Sequence, residues 1–218
     1  RPGDKVTIAM NKNFDSLIFD LDGTLWDATE SVARAWNAAR KQVSFAIQEI
    51  TQEDIRSVAG MQHDLIYDKF FPDLSDAQKK ELMEVSGREE MEHLKKYGGT
   101  LFEGMKQALE YLHGKYKLLI VSNCQDGYIE AFYNYHKLSH LFSDYECSGR
   151  TGNPKGENLK DVILRNNLQH PVYVGDTKGD YEASVTAEIP FVYASYGFGK
   201  VPNYAFCLES PADLKKLF

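Results

Sequence analysis

The hexapeptide Asp20-Leu-Asp-Gly-Thr-Leu25 carries the strongest chemical signal in the chain. Its two carboxylates stand two positions apart, so in a loop both can face one reaction centre. Gly23 lets the backbone approach an anion closely, and its N–H together with that of Thr24 can bind phosphate oxygens. An Asp-Gly pair alone is explained as well by an Asx-type turn. With ordinary residue usage, however, the whole pattern arises by chance in on the order of 10⁻⁴ of chains of this length. Two further polar clusters stand out, Ser122-Asn123 and Gly175-Asp-Thr-Lys-Gly-Asp180.

Each cluster closes a short apolar run. Ser16-Leu-Ile-Phe-Asp20, Tyr116–Ser122 and Pro171–Asp176 read as strands, with Phe191–Tyr193 a fourth and Asp144–Cys147 a weaker fifth. Uninterrupted apolar runs suit strands buried on both faces of a parallel sheet. Met105, Ala108, Leu109 and Leu112 mark a helix face before the second strand, and Ile129, Phe132, Tyr133 and His136 mark another after it. Alternating strands and helices imply right-handed crossovers and a doubly wound, mainly parallel α/β sheet. Reactive residues then collect at the carboxyl ends of the strands, and all three polar endings converge on one edge.

The stretch from Asp27 to Gly99 differs. Val32, Ala35, Trp36, Ala39 and Val43 predict an amphipathic helix, with Asp27 and Glu30 as its capping box. Thr51 opens a shorter helix, and Ser75 with Gln78 caps a long charged one that fades at Gly98-Gly99. No strand is expected in between. These roughly 70 residues exceed the 30 or so of a βαβ crossover. They read as an all-helical cap over residues 27–99, with the α/β core formed by 10–26 plus 100–218. Residues 1–9, ahead of Met10, read as a tag remnant.

The polar strand endings, in this order, resemble the signatures of the haloacid dehalogenase-like hydrolase superfamily, in its phosphoglycolate phosphatase and β-phosphoglucomutase branch with a helical C1-type cap. Asp-x-Asp-Gly-Thr-Leu matches the first signature, Ser122 the Ser/Thr signature and Gly175–Asp180 the acidic one, with Ile189-Pro-Phe and Tyr196-Gly-Phe-Gly199 resembling the tail. The lysine signature departs from the pattern: Pro154-Lys155 reverses the usual Lys-Pro order. Lys155 is its candidate by position and Lys160 the fallback.

The resemblance implies that Asp20 is the nucleophile and Asp22 the acid/base, and that Mg²⁺ is held by the Asp20 and Asp176 carboxylates and the Asp22 backbone. It further implies phosphoryl binding by Ser122, Asn123 and Lys155, and an orienting role for Asp180 behind the metal. Asp22 also sorts the family's reactions, since dehalogenases lack a carboxylate there and ion-pumping ATPases carry threonine. Trp26 can line the substrate pocket or serve as a core or hinge aromatic. Gly60-Met-Gln-His lies where the family's cap presents its specificity loop; Gln62 and His63 can touch the leaving group from there, or His63 can simply open a surface helix. Arg56 can hold a second anionic group or sit in a solvated face.

The composition fits an enzyme of this kind. The chain has 218 residues, 43% hydrophobic and 26% charged, enough for a sizeable core. A net charge of −7 without a basic patch disfavours nucleic acid as an obligate partner. No apolar run approaches the roughly 20 residues of a membrane span. The three cysteines are odd in number and fit no Cys-x-x-Cys spacing, which suits reduced thiols in a cytoplasmic protein, and the six histidines give no zinc spacing. The reading is therefore a Mg²⁺-dependent phosphatase acting on a small phosphorylated metabolite. A phosphosugar mutase is the alternative, although Met61-Gln-His follows Gly60 where a phosphate-binding arginine is expected. A non-catalytic binding module is a third reading, but it retains no obvious need for all four aspartates. Oligomeric state is not legible.

Overall fold

The computed structural model describes residues 13–45 and 47–218; the expected tag remnant at 1–9 lies outside them. In chain order the elements are β1 (Ser16–Phe19), β2 (Trp26–Asp27), α1 (Thr29–Arg40), α2 (Gln52–Ser57), α3 (His63–Phe70), α4 (Asp76–Tyr97), β3 (Thr100–Leu101) and α5 (Met105–His113). There follow β4 (Lys117–Ser122), α6 (Tyr128–His136), β5 (Asp144–Cys147), α7 (Ser148–Thr151), α8 (Lys155–Arg165), β6 (Pro171–Gly175), α9 (Lys178–Thr186), β7 (Phe191–Ala194), β8 (Phe206–Leu208) and α10 (Leu214–Leu217).

Six strands form one sheet in the order β5-β4-β1-β6-β7-β8, and each neighbouring pair is parallel. From β1 the chain builds outward through β4 and β5, then returns to add β6, β7 and β8 on the other side. The order therefore reverses at β1, where an open α/β sheet offers a crevice beyond its strand ends. Side-chain alternation feeds two cores. Leu17, Phe19, Ile120 and Val174 pack with α5 and α6 on one face, and Ile18, Leu119, Val121 and Tyr173 pack with α8 and α9 on the other. Burial on both faces is why these strands read as unbroken apolar runs.

The helices between β2 and β3 form the cap. α4 buries Leu82, Ser86, Gly87, Glu90 and Leu94, a stripe recurring about every four residues, and packs against α1 and α6. The middle of that stripe is small or polar, so sequence periodicity leaves it invisible.

One expectation needs correction, and three short strands were not anticipated. Asp27 and Glu30 make no capping box. α1 starts at Thr29 without a side-chain cap, Asp27 Oδ1 accepts from the Thr29 amide at 2.9 Å, and Glu30 pairs with Arg34. Two-residue strands β2 and β3, too short for a periodic signal, join antiparallel where the chain enters and leaves the cap. The sheet also has a sixth strand, β8, on a half-exposed edge whose three residues show no alternation. Among the described residues no helix is long and apolar enough to cross a membrane.

Candidate active site

Parallel pairing in register delivers the polar strand endings to one place. Phe19 stands opposite Ile120 on β4 and Val174 on β6. Asp20, Ser122 and Asp176 therefore leave the same edge of three adjacent strands. Carboxylate oxygens of Asp20, Asp176 and Asp180 all lie within 4.8 Å of one another, and all three residues are buried.

Each carboxylate of the cluster is held differently. Lys155, at the first turn of α8, donates to Asp20 Oδ1 at 3.0 Å and to Asp180 Oδ1 at 2.5 Å. Burial pulls the Lys155 ammonium down, but Asp180 and Asp20 outweigh it and raise its pKa, so it stays charged. Asp180 also accepts the amides of Asp176 and Thr177, the Thr177 hydroxyl and the Tyr173 hydroxyl. Five donors leave Asp180 committed to the protein. Asp176 accepts Thr24 Oγ1 at 3.1 Å and the Phe198 amide at 2.8 Å. Burial, reinforced by Asp180, pushes its carboxyl up to about 7. Asp20 is also raised well above the usual range, first by burial and then by the charge of Asp180. Its Oδ2 is buried with no hydrogen-bond partner.

Asp22 stands apart from the cluster. Its Oδ1 accepts from Trp26 Nε1 and from the Tyr128 hydroxyl, both at 2.9 Å. Burial raises its carboxyl to about 6, although these two hydrogen bonds pull the other way. Gly23, at φ +81°, makes the turn between the two aspartates. A Cβ there would fall 2.2 Å from Asp176 Oδ2, so glycine alone permits this approach of β1 and β6 loops.

Above the strand ends, core and cap enclose a cavity with about 680 Å³ of atom-free space, its mouth included. Asp20, Asp22, Ser122 and Asn123 line its floor, and Gly60, Met61, His63 and Glu90 reach it from the cap. Asn123 Nδ2 donates to the Gly60 carbonyl at 2.8 Å, a direct tie between core loop and cap loop.

The structure sorts the remaining expected residues. The Gly23 and Thr24 amides are not free for an anion, because they donate within the turn to the carbonyls of Trp26 and Leu21. Trp26 is wholly buried and packs against Tyr128, Phe132 and His136, so it props Asp22 rather than lining the cavity. Gln62 precedes α3 off the cavity wall, whereas the partly buried His63 lines that wall. Arg56 is bound to Asp27 at 3.0 Å. Lys160 is half-exposed and pairs with Glu157, so Lys155 is the lysine at the site. Sequence reasoning missed Tyr128, Phe198, Gln125 and Glu90. The only available signal for Glu90 was its place between Leu82 and Leu94 on a four-residue spacing.

A family model for haloacid dehalogenase-like hydrolases matches residues 17–194. The chain is 27% identical over 201 residues to a phosphoglycolate phosphatase of Aliivibrio fischeri, covering 87% of each chain. It is 28% identical to the phosphoglycolate phosphatase of Aquifex aeolicus over 92% of this chain and 95% of that one. Among solved structures, a haloacid dehalogenase-like family hydrolase from Streptococcus pneumoniae superposes with a TM-score of 0.82 at 19% identity, covering 94% of this chain and 98% of that one.

Proposed function

The chain belongs to the haloacid dehalogenase-like hydrolase family, in its phosphoglycolate phosphatase-like branch, and is a phosphoric monoester hydrolase; on that premise we propose that it hydrolyses a small phosphorylated metabolite through an aspartyl-phosphate on Asp20, with Mg²⁺ as cofactor. The supporting observation is the Asp20 carboxylate, one oxygen held by Lys155 and the other buried, unpartnered and beside two more carboxylates.

The cluster fits a hard divalent cation. Among the described residues three buried carboxylates face a single ammonium, and every free donor is oxygen, the set that magnesium prefers. Asp20, Asp176 and the Asp22 backbone carbonyl would hold the ion, which supplies charge neutralisation to phosphate oxygens. Asp180 already accepts five donors, which suits an orienting role behind Asp176 and Lys155.

In the first step an Asp20 oxygen bonds to phosphorus as the bond to the leaving oxygen breaks. Asp22 gives that oxygen its proton. Its carboxyl, raised to about 6, is protonated in a useful fraction near neutral pH. In the second step Asp22 takes a proton from water, which attacks the acyl phosphate and regenerates Asp20. Lys155, Ser122 and the Asn123 backbone hold the transferring group. The cap, taken as residues 27–99 over a core of 10–26 plus 100–218, excludes bulk water while it is closed.

The test is chelator-sensitive phosphate release from an aryl phosphate. Asp20→Asn should abolish it; wild-type turnover in that variant would remove Asp20 from the chemistry.

A further inference from the structure

Much of the cavity lining is apolar, with Val32, Trp36, Ile55, Val58, Met61 and Phe198. An acidic side chain from the cap interrupts it. Glu90, on α4, is 3% exposed. Its Oε1 accepts Trp36 Nε1 and its Oε2 accepts Gln125 Nε2, each at 2.5 Å. A carboxylate offers about four lone-pair positions, so two acceptor positions remain. His63 Nε2 lies 3.6 Å from Glu90 Oε1 and is buried without a hydrogen-bond partner. Burial draws the imidazole down, but Glu90 outweighs it and raises its pKa overall. Any charge on His63 is thus already answered by Glu90.

No lysine or arginine lines this cavity among the described residues. Lys155 is engaged by Asp20 and Asp180, and Arg56 by Asp27. A leaving group carrying its own carboxylate or second phosphate would lose its hydration beside Glu90 and gain no counter-ion. Such burial is strongly unfavourable. Donor groups on an uncharged leaving alcohol, by contrast, meet the spare acceptors of Glu90, while its carbon skeleton meets the apolar wall.

Building on the phosphatase reading, we infer that Glu90 selects monophosphates whose leaving alcohol is uncharged or cationic and bears hydroxyl or amine donors, and rejects those with a second anionic group. The chain then differs in substrate from relatives named for phosphoglycolate, whose leaving alcohol is itself a carboxylate. A bisphosphate-using mutase is disfavoured for the same reason.

The experiment compares kcat/KM for glycerol 2-phosphate, phosphoethanolamine and phosphoglycolate, with p-nitrophenyl phosphate as a control for the chemistry. At least one of the first two should exceed phosphoglycolate by on the order of 100-fold, the penalty for one unpaired charge beside a like charge in a site of intermediate dielectric. An advantage below tenfold overturns the inference while leaving the phosphatase intact. Failure on every compound, the aryl phosphate included, overturns the phosphatase reading and the inference with it. In Glu90→Gln, verified as folded by circular dichroism, the preference over phosphoglycolate should shrink at least tenfold; an unchanged ratio removes Glu90 as the selector. Should that variant not fold, the wild-type ratio decides.

Discussion

Replacing Lys155 with methionine removes the one ammonium that, among the described residues, contacts the acidic cluster, while keeping much of the side-chain volume. Its Nζ lies 3.0 Å from Asp20 and 2.5 Å from Asp180, and the side chain is 4% exposed. Breaking a buried ion pair by deleting one partner costs about 3–5 kcal/mol, because the remaining charges are left desolvated. For a chain of this length each kcal/mol moves Tm by about 2–4 °C, so Lys155→Met should melt roughly 6–20 °C lower. The loss should be largest in chelator and should shrink as Mg²⁺ is added, since a divalent ion answers the same carboxylates. Phosphate release should fall at least 100-fold. Lys160→Met, altering a half-exposed pair with Glu157, should leave both readouts close to wild type. Thermal scanning with and without Mg²⁺, paired with an aryl phosphate assay, measures all of this. If Lys155→Met melts within 2 °C of wild type and turns over normally, the electrostatic account of the cluster is wrong.

Three further expectations follow from the same geometry. Asp22, raised to about 6, and Asp176, raised to about 7, are stabilised as neutral acids by burial; that stability is present below about pH 4 and is lost as pH rises through 6 to 7. The contribution of these two groups should therefore make the chelated protein lose Tm between pH 5 and 7.5 and regain it with Mg²⁺. In Gly23→Ala the added methyl meets Asp176 in a left-handed conformation; Tm should drop by several degrees, and the Mg²⁺ concentration for half-maximal activity should rise at least tenfold, as a metal titration would read. Tyr128→Phe deletes a hydrogen bond that favours the Asp22 carboxylate; the alkaline limb of kcat against pH for an alkyl phosphate should move to higher pH, and an unmoved limb would discard Tyr128 as a modulator of Asp22.

The core was legible because burial on both sides writes itself into the chain as unbroken apolar runs, and because strand ends in parallel register must meet. Asp20, Ser122 and Asp176 could be brought together on that argument alone. The cap resisted for the opposite reason. The facing stripe of α4 is Ser86, Gly87 and Glu90 between leucines, and Glu90 is chemically indistinguishable in sequence from the exposed glutamates around it. Which of two lysines enters the site depends on helix phase: Lys155 sits in the first turn of α8, pointing at the sheet edge, and Lys160 turns toward solvent. The Gly23 and Thr24 amides show the limit of motif reasoning, since a tight turn consumes the donors that a looser one would offer.

The paired strands β2 and β3 bind the outgoing and returning chain to each other, so the lid is hung on one short strap rather than on two independent tethers. Trp26 belongs to that strap, and its indole also grips Asp22. Under the proposed mechanism, a twist of that strap would be felt at the carboxyl proposed to carry the proton, because one indole joins the two.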